Sequence, residues 1–227
     1  PAPHGDDLAR SVLSQRVVDG LASSGPVAPT PLEALVPNGP TEAVPRKLIP
    51  MLAQSAPRAF TDRDWLFEPK LDGYRILAVV TRDGVTLRSR GGQDLSASFP
   101  AIVALLASQP VQPILIDAEI VAFEGGLPSF GALQRRARLN TAAEIDDADR
   151  RTPCVLFCFD LLHAHGMDLR RAAYIDRRRY LLQCVIPNSA VQFVHAEPDG
   201  EALYRAAMAA GFEGIIAKRR SSVYRPG

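Results

Sequence analysis

The stretch LFEPKLDGYRILAVVTRDGVTLRS, residues 66–89, contains the strongest fold signal in the chain. Leu66–Leu71 and Arg75–Thr81 are short runs rich in apolar and β-branched residues, and a similar run, Val85–Ser89, follows Asp83-Gly84. An Asp-Gly pair between two such runs is typical of a β-hairpin. The stretch therefore predicts a first strand before Lys70 and then a hairpin with Asp83-Gly84 at its tip.

Outward from this stretch, strand and helix patterns alternate irregularly. Because a hairpin is present and the order is irregular, the pattern favours antiparallel or mixed β-sheets flanked by helices, an α+β fold, over a doubly wound parallel sheet. The segments after the hairpin are predicted as follows: strands over Ile114–Phe123, Val155–Leu162, Val191–His195 and Glu213–Lys218; helices over Phe99–Leu106, Phe130–Arg138, Arg170–Val185 and Glu201–Ala210; and a charged loop over Asp146–Arg151.

The first 45 residues differ in composition from the rest. The whole chain has 227 residues, is 47% hydrophobic and has a net charge of +1, which is typical of a globular protein. Its nine Phe, one Trp and five Tyr all lie from Phe60 onward, whereas ten of the nineteen prolines lie at or before Pro57. A segment without aromatic residues has little apolar surface to offset the entropy of ordering. We therefore predict a low-aromatic N-terminal linker or arm over residues 1–45 and a folded domain over residues 46–227.

Several classes of protein and site are excluded. The chain has no apolar run of about eighteen residues that could cross a membrane, and it does not begin with a secretion signal. We therefore expect a cytoplasmic protein. Cys154, Cys158 and Cys184 lack metal-ligand spacing, and the first two lie in an apolar run that predicts buried thiols. The two commonest glycine-rich nucleotide-binding motifs are missing.

Chemically reactive residue types are concentrated in Glu68-Pro69-Lys70-Leu71-Asp72-Gly73-Tyr74-Arg75. An arginine can clamp a phosphate oxyanion, an aspartate can orient a metal-bound water, and Gly73 lets the backbone approach a ligand closely. A lysine can act as a nucleophile where its neutral form is favoured. From spacing alone, phosphate chemistry and an ordinary hairpin edge with solvated charges are equally good interpretations.

Lys70–Arg75 resembles the K-x-D-G-x-R motif of the covalent nucleotidyltransferases, which comprise ATP-dependent DNA ligases, RNA ligases and capping enzymes. Five more stretches resemble motifs of this superfamily and follow in its order, and the last of them is similar to bacterial end-joining ligases of the ligase D type. The resemblance covers residues 45–227. The stretches are Ser89–Asp94 with Phe99-Pro100, Asp117-Ala118-Glu119, Phe157–Leu162, Glu213–Lys218 and Ser222–Gly227.

The resemblance implies an ATP-grasp-like covalent nucleotidyltransferase fold and a two-step reaction. Lys70 would attack the α-phosphorus of ATP, release pyrophosphate and hold AMP as a phosphoramidate. The AMP would then pass to a 5′-phosphate at a nick or break in double-stranded DNA. The resemblance implies that this reaction would serve DNA repair, recombination and non-homologous end joining in the bacterial cytoplasm, at the nucleoid.

The resemblance also implies roles for other residues. Glu68, Leu71, Phe159 and Ile216 would contact the nucleotide, with Phe159 stacked on the adenine. Arg75, Arg90 and Lys218 would contact the ribose or phosphates, and Glu119 the ribose hydroxyl. The Mg²⁺ or Mn²⁺ ligands would be Glu213, Glu119 and Asp72. The DNA contacts would come from Arg90, Arg135, Arg136 and Arg138.

Two departures from the family pattern affect what is expected. The usual D-G-E glycine is Ala118, and the sequence stops at Gly227, before the last family motif and the OB-fold domain. We therefore expect an adenylate pocket that is slow or inactive in charging itself and that cannot seal nicks efficiently without those parts, and we expect other repair domains in a longer parent chain. Two alternatives stay open: an RNA ligase or GTP-dependent capping-type enzyme, and a non-catalytic DNA-docking module.

Overall fold

Residues 43–45, 48–124 and 127–227 are described by the computed structural model, and this part contains nine strands and five α-helices. The predicted arm lies outside the described residues except for residues 43–45, and so does the predicted domain start at Arg46. The strands are β1 Trp65–Pro69, β2 Tyr74–Thr81, β3 Gly84–Ser89, β4 Ile114–Glu124, β5 Leu127–Pro128, β6 Cys154–Ala164, β7 Met167–Asp168, β8 Val191–Phe193 and β9 Ile215–Arg219. The helices are α1 Pro100–Ala107, α2 Phe130–Arg136, α3 Ala142–Arg151, α4 Tyr174–Cys184 and α5 Gly200–Ala209.

Two sheets organise the fold. The larger sheet has seven strands with the path β3-β2-β4-β6-β7, and β5 and β8 pair with β4 and β6. Every pair in it is antiparallel except β6–β8, which is parallel. The smaller sheet is the antiparallel pair β1–β9. The predicted α+β class with mixed sheets is therefore confirmed.

The predicted hairpin is present as β2–β3, with its tip one residue earlier than predicted. Thr81 pairs with Gly84, so the two-residue loop is Arg82-Asp83, and the Thr81 hydroxyl donates a hydrogen bond to the Gly84 carbonyl at 3.1 Å. Gly84 has a φ of +147°, which favours glycine at the first residue of β3. The glycine therefore begins the returning strand, and the turn itself precedes it.

The larger sheet has two different faces because side chains alternate along each strand. One face forms the main core, in which Ile76, Ile116 and Leu156 pack with Leu181 of α4. The opposite face has two smaller apolar clusters, one around Val121 and Phe157 and one around Leu77 and Leu162. Charged residues of β2 and β4 share this second face, so it is where a polar site can form.

A β-bulge in β6 changes which residues reach the second face. Asp117 pairs with Asp160 and Ala118 pairs with Cys158, so Phe159 is an extra residue in β6. Cys158 and Leu161 both lie in the main core. The two residues between them, Phe159 and Asp160, therefore both belong to the second face.

The prediction of a charged loop over Asp146–Arg151 is wrong, because this segment is the second half of α3. The helix begins with a capping box, in which the Thr141 hydroxyl accepts from the Glu144 N–H at 3.3 Å and the Glu144 carboxylate accepts from the Thr141 N–H at 3.3 Å. Ile145 is its one buried residue. The short strands β5 and β7 were also not predicted.

The three cysteines lie in the interior, which confirms the prediction of buried thiols for Cys154 and Cys158. Burial raises the pKa of Cys154 to about 12, so its thiolate form is strongly disfavoured.

Within the described ranges, no helix is long and apolar enough to cross a membrane.

Candidate active site

Lys70 lies in the loop between β1 and β2, next to the segment that leads into β9. Its backbone N–H donates to the Gly214 carbonyl at 2.9 Å, and its ammonium group contacts the Glu213 carboxylate. The side chains of Lys70 and Glu213 are 44% and 59% exposed, so a ligand can reach both. Two residues that are 143 positions apart are thus placed together at the edge of the β1–β9 sheet.

Gly73 brings the same loop against β4. A Cβ atom at Gly73 would lie 2.2 Å from the Ile120 carbonyl oxygen and 3.0 Å from Cγ of Glu119. The backbone of Gly73 also forms a hydrogen bond with the Glu119 carboxylate. Glycine at this position is therefore what allows Lys70 and Glu119 to belong to one site.

The Glu119 carboxyl group titrates near neutral pH. Burial raises its pKa to about 7, and the Arg75 guanidinium opposes this rise. The charges of Asp117 and Asp72 raise the pKa further, while the hydrogen bond from Gly73 lowers it. Burial is therefore the main reason why the neutral form of Glu119 persists to higher pH than in water.

Arg75 is fixed by a buried carboxylate. Its Nε and Nη2 atoms donate to the two oxygens of Asp117 at 2.5 and 2.7 Å, and Asp117 is fully buried. Burial lowers the pKa of Arg75, but the hydrogen bonds and charge of Asp117 raise it above the ordinary value. The guanidinium carbon lies 4.5 Å from the centre of the Phe159 ring. Arg75 therefore presents a permanent charge in a fixed orientation.

Glu68, Lys218 and Phe159 form a second cluster on the other side of the site. Lys218 Nζ lies 4.3 Å from the centre of the Phe159 ring and forms an ion pair with Glu68 Oε2 at 2.6 Å. Glu68 is only 2% exposed, and its Oε1 accepts from the Tyr174 hydroxyl at 2.5 Å and from Arg178 at 3.2 Å. This buried acid is thus compensated by two cations and a hydroxyl group.

The remaining predicted nucleotide and metal residues lie around these clusters. Leu71 packs against the apolar cluster that contains Phe159, and Ile216 pairs with Glu68 across β1–β9. Asp72 is exposed. Arg90 is exposed as well, and its N–H donates to the Arg75 carbonyl at 3.2 Å. Glu68 is predicted to contact the nucleotide, and in the structure its carboxylate contacts Tyr174, Arg178 and Lys218.

Three of the four arginines predicted to contact DNA lie in α2 or just after it, and they occupy different environments. Arg136 is 2% exposed, contacts the carboxylate of Asp149 and lies 5.7 Å from the centre of the Phe99 ring. The predicted DNA contact of Arg136 is therefore wrong, because its guanidinium joins α2 to α3 inside the fold. Arg135 is exposed and pairs with Glu124 at 2.9 Å, and Arg138 is exposed.

Four residues of the site were missed by the sequence interpretation: Asp117, Tyr174, Arg178 and Tyr224. Two signals could have found three of them. Asp117 is an acid inside an apolar strand and therefore needs a partner. Tyr174 and Arg178 are four residues apart on a helix and so share a face. Tyr224 approaches Asp117 from 107 positions away, and nothing in its local sequence indicates this contact.

Comparisons with known proteins identify relatives of this chain. A sequence profile described as "ATP dependent DNA ligase domain" matches residues 50–227. The chain is 33% identical over 187 residues to the multifunctional non-homologous end joining protein LigD of Mycolicibacterium smegmatis, covering 82% of this chain. It is 32% identical over 190 residues to the bifunctional non-homologous end joining protein LigD of Bacillus subtilis, covering 76% of this chain.

Solved structures agree with these matches. A structure of mycobacterial DNA ligase D complexed with ATP and MES has a TM-score of 0.65 and 33% identity, over 80% of this chain and 57% of that one. The bacteriophage T7 ATP-dependent DNA ligase, at 16% identity over 72% of this chain and 59% of that one and with a TM-score of 0.51, shares the fold. The chain spans 23% and 31% of the length of the two curated relatives. With residues 50–227 matched by the profile, the chain belongs to the family of ATP-dependent DNA ligase domains.

Proposed function

We propose that this chain is an adenylation domain in which Lys70 takes AMP from ATP and then passes it to the 5′-phosphate of a nick or break in DNA. The observation that carries the proposal is the contact of Lys70 with Glu213, in a site that also holds Glu119 and Arg75. Because the chain belongs to the family of ATP-dependent DNA ligase domains, we assign Lys70, which an ATP molecule can reach, as the residue that takes the AMP. ATP is the substrate and AMP donor.

The first step is a displacement at the α-phosphorus. Lys70 Nζ forms a bond to this phosphorus, and the bond to the bridging oxygen of pyrophosphate breaks. The amine must be neutral to attack, so the ammonium group has to release a proton. The Glu213 carboxylate contacts Nζ and offers an acceptor for this proton.

Fixed positive charge is expected to lower the barrier of this step. Arg75 is locked by Asp117, so it can face the phosphate without reorganising when charge develops. Lys218 is paired with Glu68, and a phosphate oxygen would compete with Glu68 for its ammonium group. Exposed Arg90 is a third cation for the ribose or phosphates.

The nucleotide base would contact the apolar part of the site. The Phe159 ring lies in an apolar cluster with Leu71 packed against it, and Ile216 lies on the facing strand β9. Stacking of a base on an aromatic ring contributes about 1–3 kcal/mol. We therefore assign Phe159, Leu71 and Ile216 to the base, and Glu119 to the ribose hydroxyl.

The donor set of the site fits a divalent cation that is shared with the substrate. Glu213 is exposed, and Glu119 has a raised pKa because it is buried near other acids. In the described part of the chain, no three His, Cys, Asp or Glu residues are arranged to hold a metal ion by themselves. Mg²⁺ is commonly held by one or two carboxylates together with water and substrate phosphates. Glu213 and Glu119, with Asp72 nearby, would hold Mg²⁺ or Mn²⁺, which neutralises phosphate charge when bound.

The DNA substrate and the partner domains are inferred from the relatives. The two curated relatives are named as non-homologous end joining proteins and are much longer than this chain. We propose that the domain works with an OB-fold domain and other repair domains, in the bacterial cytoplasm at the nucleoid. Arg90, Arg135 and Arg138 are exposed cations that could contact DNA phosphates, in which case binding would weaken steeply with salt.

Intact-protein mass after incubation with ATP and Mg²⁺ tests the first step. The chain has three lysines, Lys47, Lys70 and Lys218, so peptide mapping assigns an adduct without ambiguity. We expect one AMP on Lys70, removed by pyrophosphate, abolished in Lys70→Ala and retained in the control Lys47→Ala. ATP and GTP compared as donors, followed by nicked DNA and nicked RNA as acceptors, separate this proposal from the RNA ligase and capping alternatives. An adduct on Lys47 or Lys218 would refute the assignment of Lys70, and no adduct together with no ATP binding would favour the DNA-docking alternative.

A further inference from the structure

Asp117 accepts hydrogen bonds from two directions. Arg75 occupies both of its oxygens, and the Tyr224 hydroxyl donates to Oδ2 at 2.6 Å. Oδ2 is therefore shared between Arg75 Nη2 and Tyr224. Because Asp117 is fully buried in the middle of β4, these contacts determine how its carboxylate is oriented.

Tyr224 is itself held in one orientation. Its hydroxyl accepts from the Met51 N–H at 2.9 Å while it donates to Asp117, so its donor and one acceptor position are both used. Its backbone N–H donates to the Arg170 carbonyl at 2.8 Å. The ring is 5% exposed and packs with Leu77, Leu115 and Leu162.

The Asp117 carboxylate connects Tyr224 to Arg75, the residue proposed to face the phosphate. Arg75 reaches from Asp117 to the Phe159 ring and pairs across β2–β4 with Glu119. A path of direct contacts thus runs from residues 51 and 224, through Asp117, to the guanidinium that is proposed to face the phosphate. Tyr224 does not have to touch the nucleotide to affect where Arg75 points.

We propose that Tyr224 is a positioning residue for Arg75, and that it couples the segment 220–227 and the backbone at Met51 to the adenylation site. The expected effect on the rate of lysyl-AMP formation rests on the proposed function. The expected effect on the orientation of Arg75 does not, because this orientation can be measured without turnover. Displacing Tyr224 leaves Asp117 with Arg75 alone, and the guanidinium then has more freedom around the carboxylate.

The test compares Tyr224→Phe with Tyr180→Phe in the 227-residue chain. Tyr180 is also buried, and its hydroxyl has no hydrogen-bond partner among the described residues, so it is a matched control for losing a buried hydroxyl. We expect Tyr224→Phe to slow lysyl-AMP formation about tenfold, because a hydrogen bond to a charged group is lost. Tyr180→Phe should leave the rate unchanged.

A double-mutant comparison separates positioning from a general loss of structure. In an Arg75→Ala background, Tyr224→Phe should cause no further loss of rate, because the residue through which it acts is absent. A purely structural effect of Tyr224→Phe would lower the rate by the same factor in both backgrounds. That outcome would overturn the proposal.

The orientation of Arg75 provides a readout that is independent of turnover. The NMR signal of Arg75 Nε–H, assigned by its loss in Arg75→Lys, should exchange with water faster in Tyr224→Phe than in wild type or Tyr180→Phe. Equal exchange in all three proteins would refute the positioning role, whether or not the chain forms lysyl-AMP. If wild type forms no lysyl-AMP but exchange is faster in Tyr224→Phe, the proposed function fails and the coupling stands.

Discussion

At the scale of single residues, Glu119 is unusual because an acid with a pKa near 7 destabilises the fold once it ionises. Its pKa is 4.5 in the absence of the fold and about 7 within it, so the folded chain binds the proton more tightly. The stability that this proton contributes is complete below pH 4.5 and is lost as the pH rises through 7. The shift corresponds to about 3 kcal/mol.

Glu119→Gln should remove this dependence. We expect the variant to be more stable than wild type at pH 8 and close to wild type at pH 5, because glutamine has no proton to lose. Urea unfolding at the two pH values measures the difference, with the exposed Glu201→Gln as control. Parallel stability profiles of Glu119→Gln and wild type would contradict the raised pKa.

Gly73 is the second residue whose replacement has a specific consequence. Gly73→Ala places a methyl group 2.2 Å from a backbone oxygen of β4, and backbone cannot rotate away as a side chain can. The loop must then move off Glu119, and the rate of lysyl-AMP formation should fall about a hundredfold. Gly91→Ala is the control, since its Cβ meets no atom within 4 Å. A Gly73→Ala variant as active as Gly91→Ala would show that the loop does not need this close approach.

At the scale of elements, α2 and α3 are joined by an ion pair that is buried on one side. Arg136 of α2 is 1% exposed at its side chain and Asp149 of α3 is 24% exposed. Asp149→Asn leaves a buried guanidinium without its counter-charge, which should cost about 3 kcal/mol of unfolding free energy. Asp147→Asn, which breaks the exposed pairs with Arg150 and Arg151, should cost less than about 1 kcal/mol. Chemical denaturation compares the two, and equal losses would contradict the structural role given to Arg136.

The elements also show what could be predicted from the sequence. Strands β2, β4 and β6 and helices α1, α4 and α5 were predicted because their apolar patterns are long and regular. Helix α3 was missed because its one buried residue, Ile145, gives no periodic pattern, and its start depends on a capping box instead. The candidate site residues were predicted from six stretches that follow the order of the nucleotidyltransferase motifs. Tyr174 reaches Glu68 from 106 positions away and Tyr224 reaches Asp117 from 107 positions away, and no local spacing indicates such contacts.

At the scale of the whole molecule, Arg177 holds the last segment of the chain in place. From α4 it donates to both oxygens of Asp160 at 2.8 Å and to the carbonyls of Ala172 and Ser222. Arg177→Met leaves Asp160 buried without its main cation and releases Ser222. We therefore expect residues 220–227 to detach more often.

Limited chymotrypsin digestion measures this detachment as the rate of cleavage after Tyr224. The rate should rise about tenfold or more in Arg177→Met, since opening scales with the stability lost. In Arg179→Met, where the arginine is 36% exposed and, among the described residues, forms its ion pair with nearby Asp176, the rate should stay at the wild-type value. Cleavage at equal rates in both variants would mean that other contacts retain the segment.

The contact between Met51 and Tyr224 has a mechanical consequence. A Cβ atom on Gly227 would lie 3.4 Å from the Pro50 carbonyl oxygen, so residue 227 lies beside the segment that precedes β1. Val44 and Leu48, which precede Pro50, pack against the same apolar cluster as Tyr224. A pull on the chain at residue 227 would act three residues from Tyr224, whose hydroxyl contacts Asp117 and, through it, Arg75. If the proposed function holds, a load on the end of this segment would therefore slow adenylation through the hydroxyl of Tyr224.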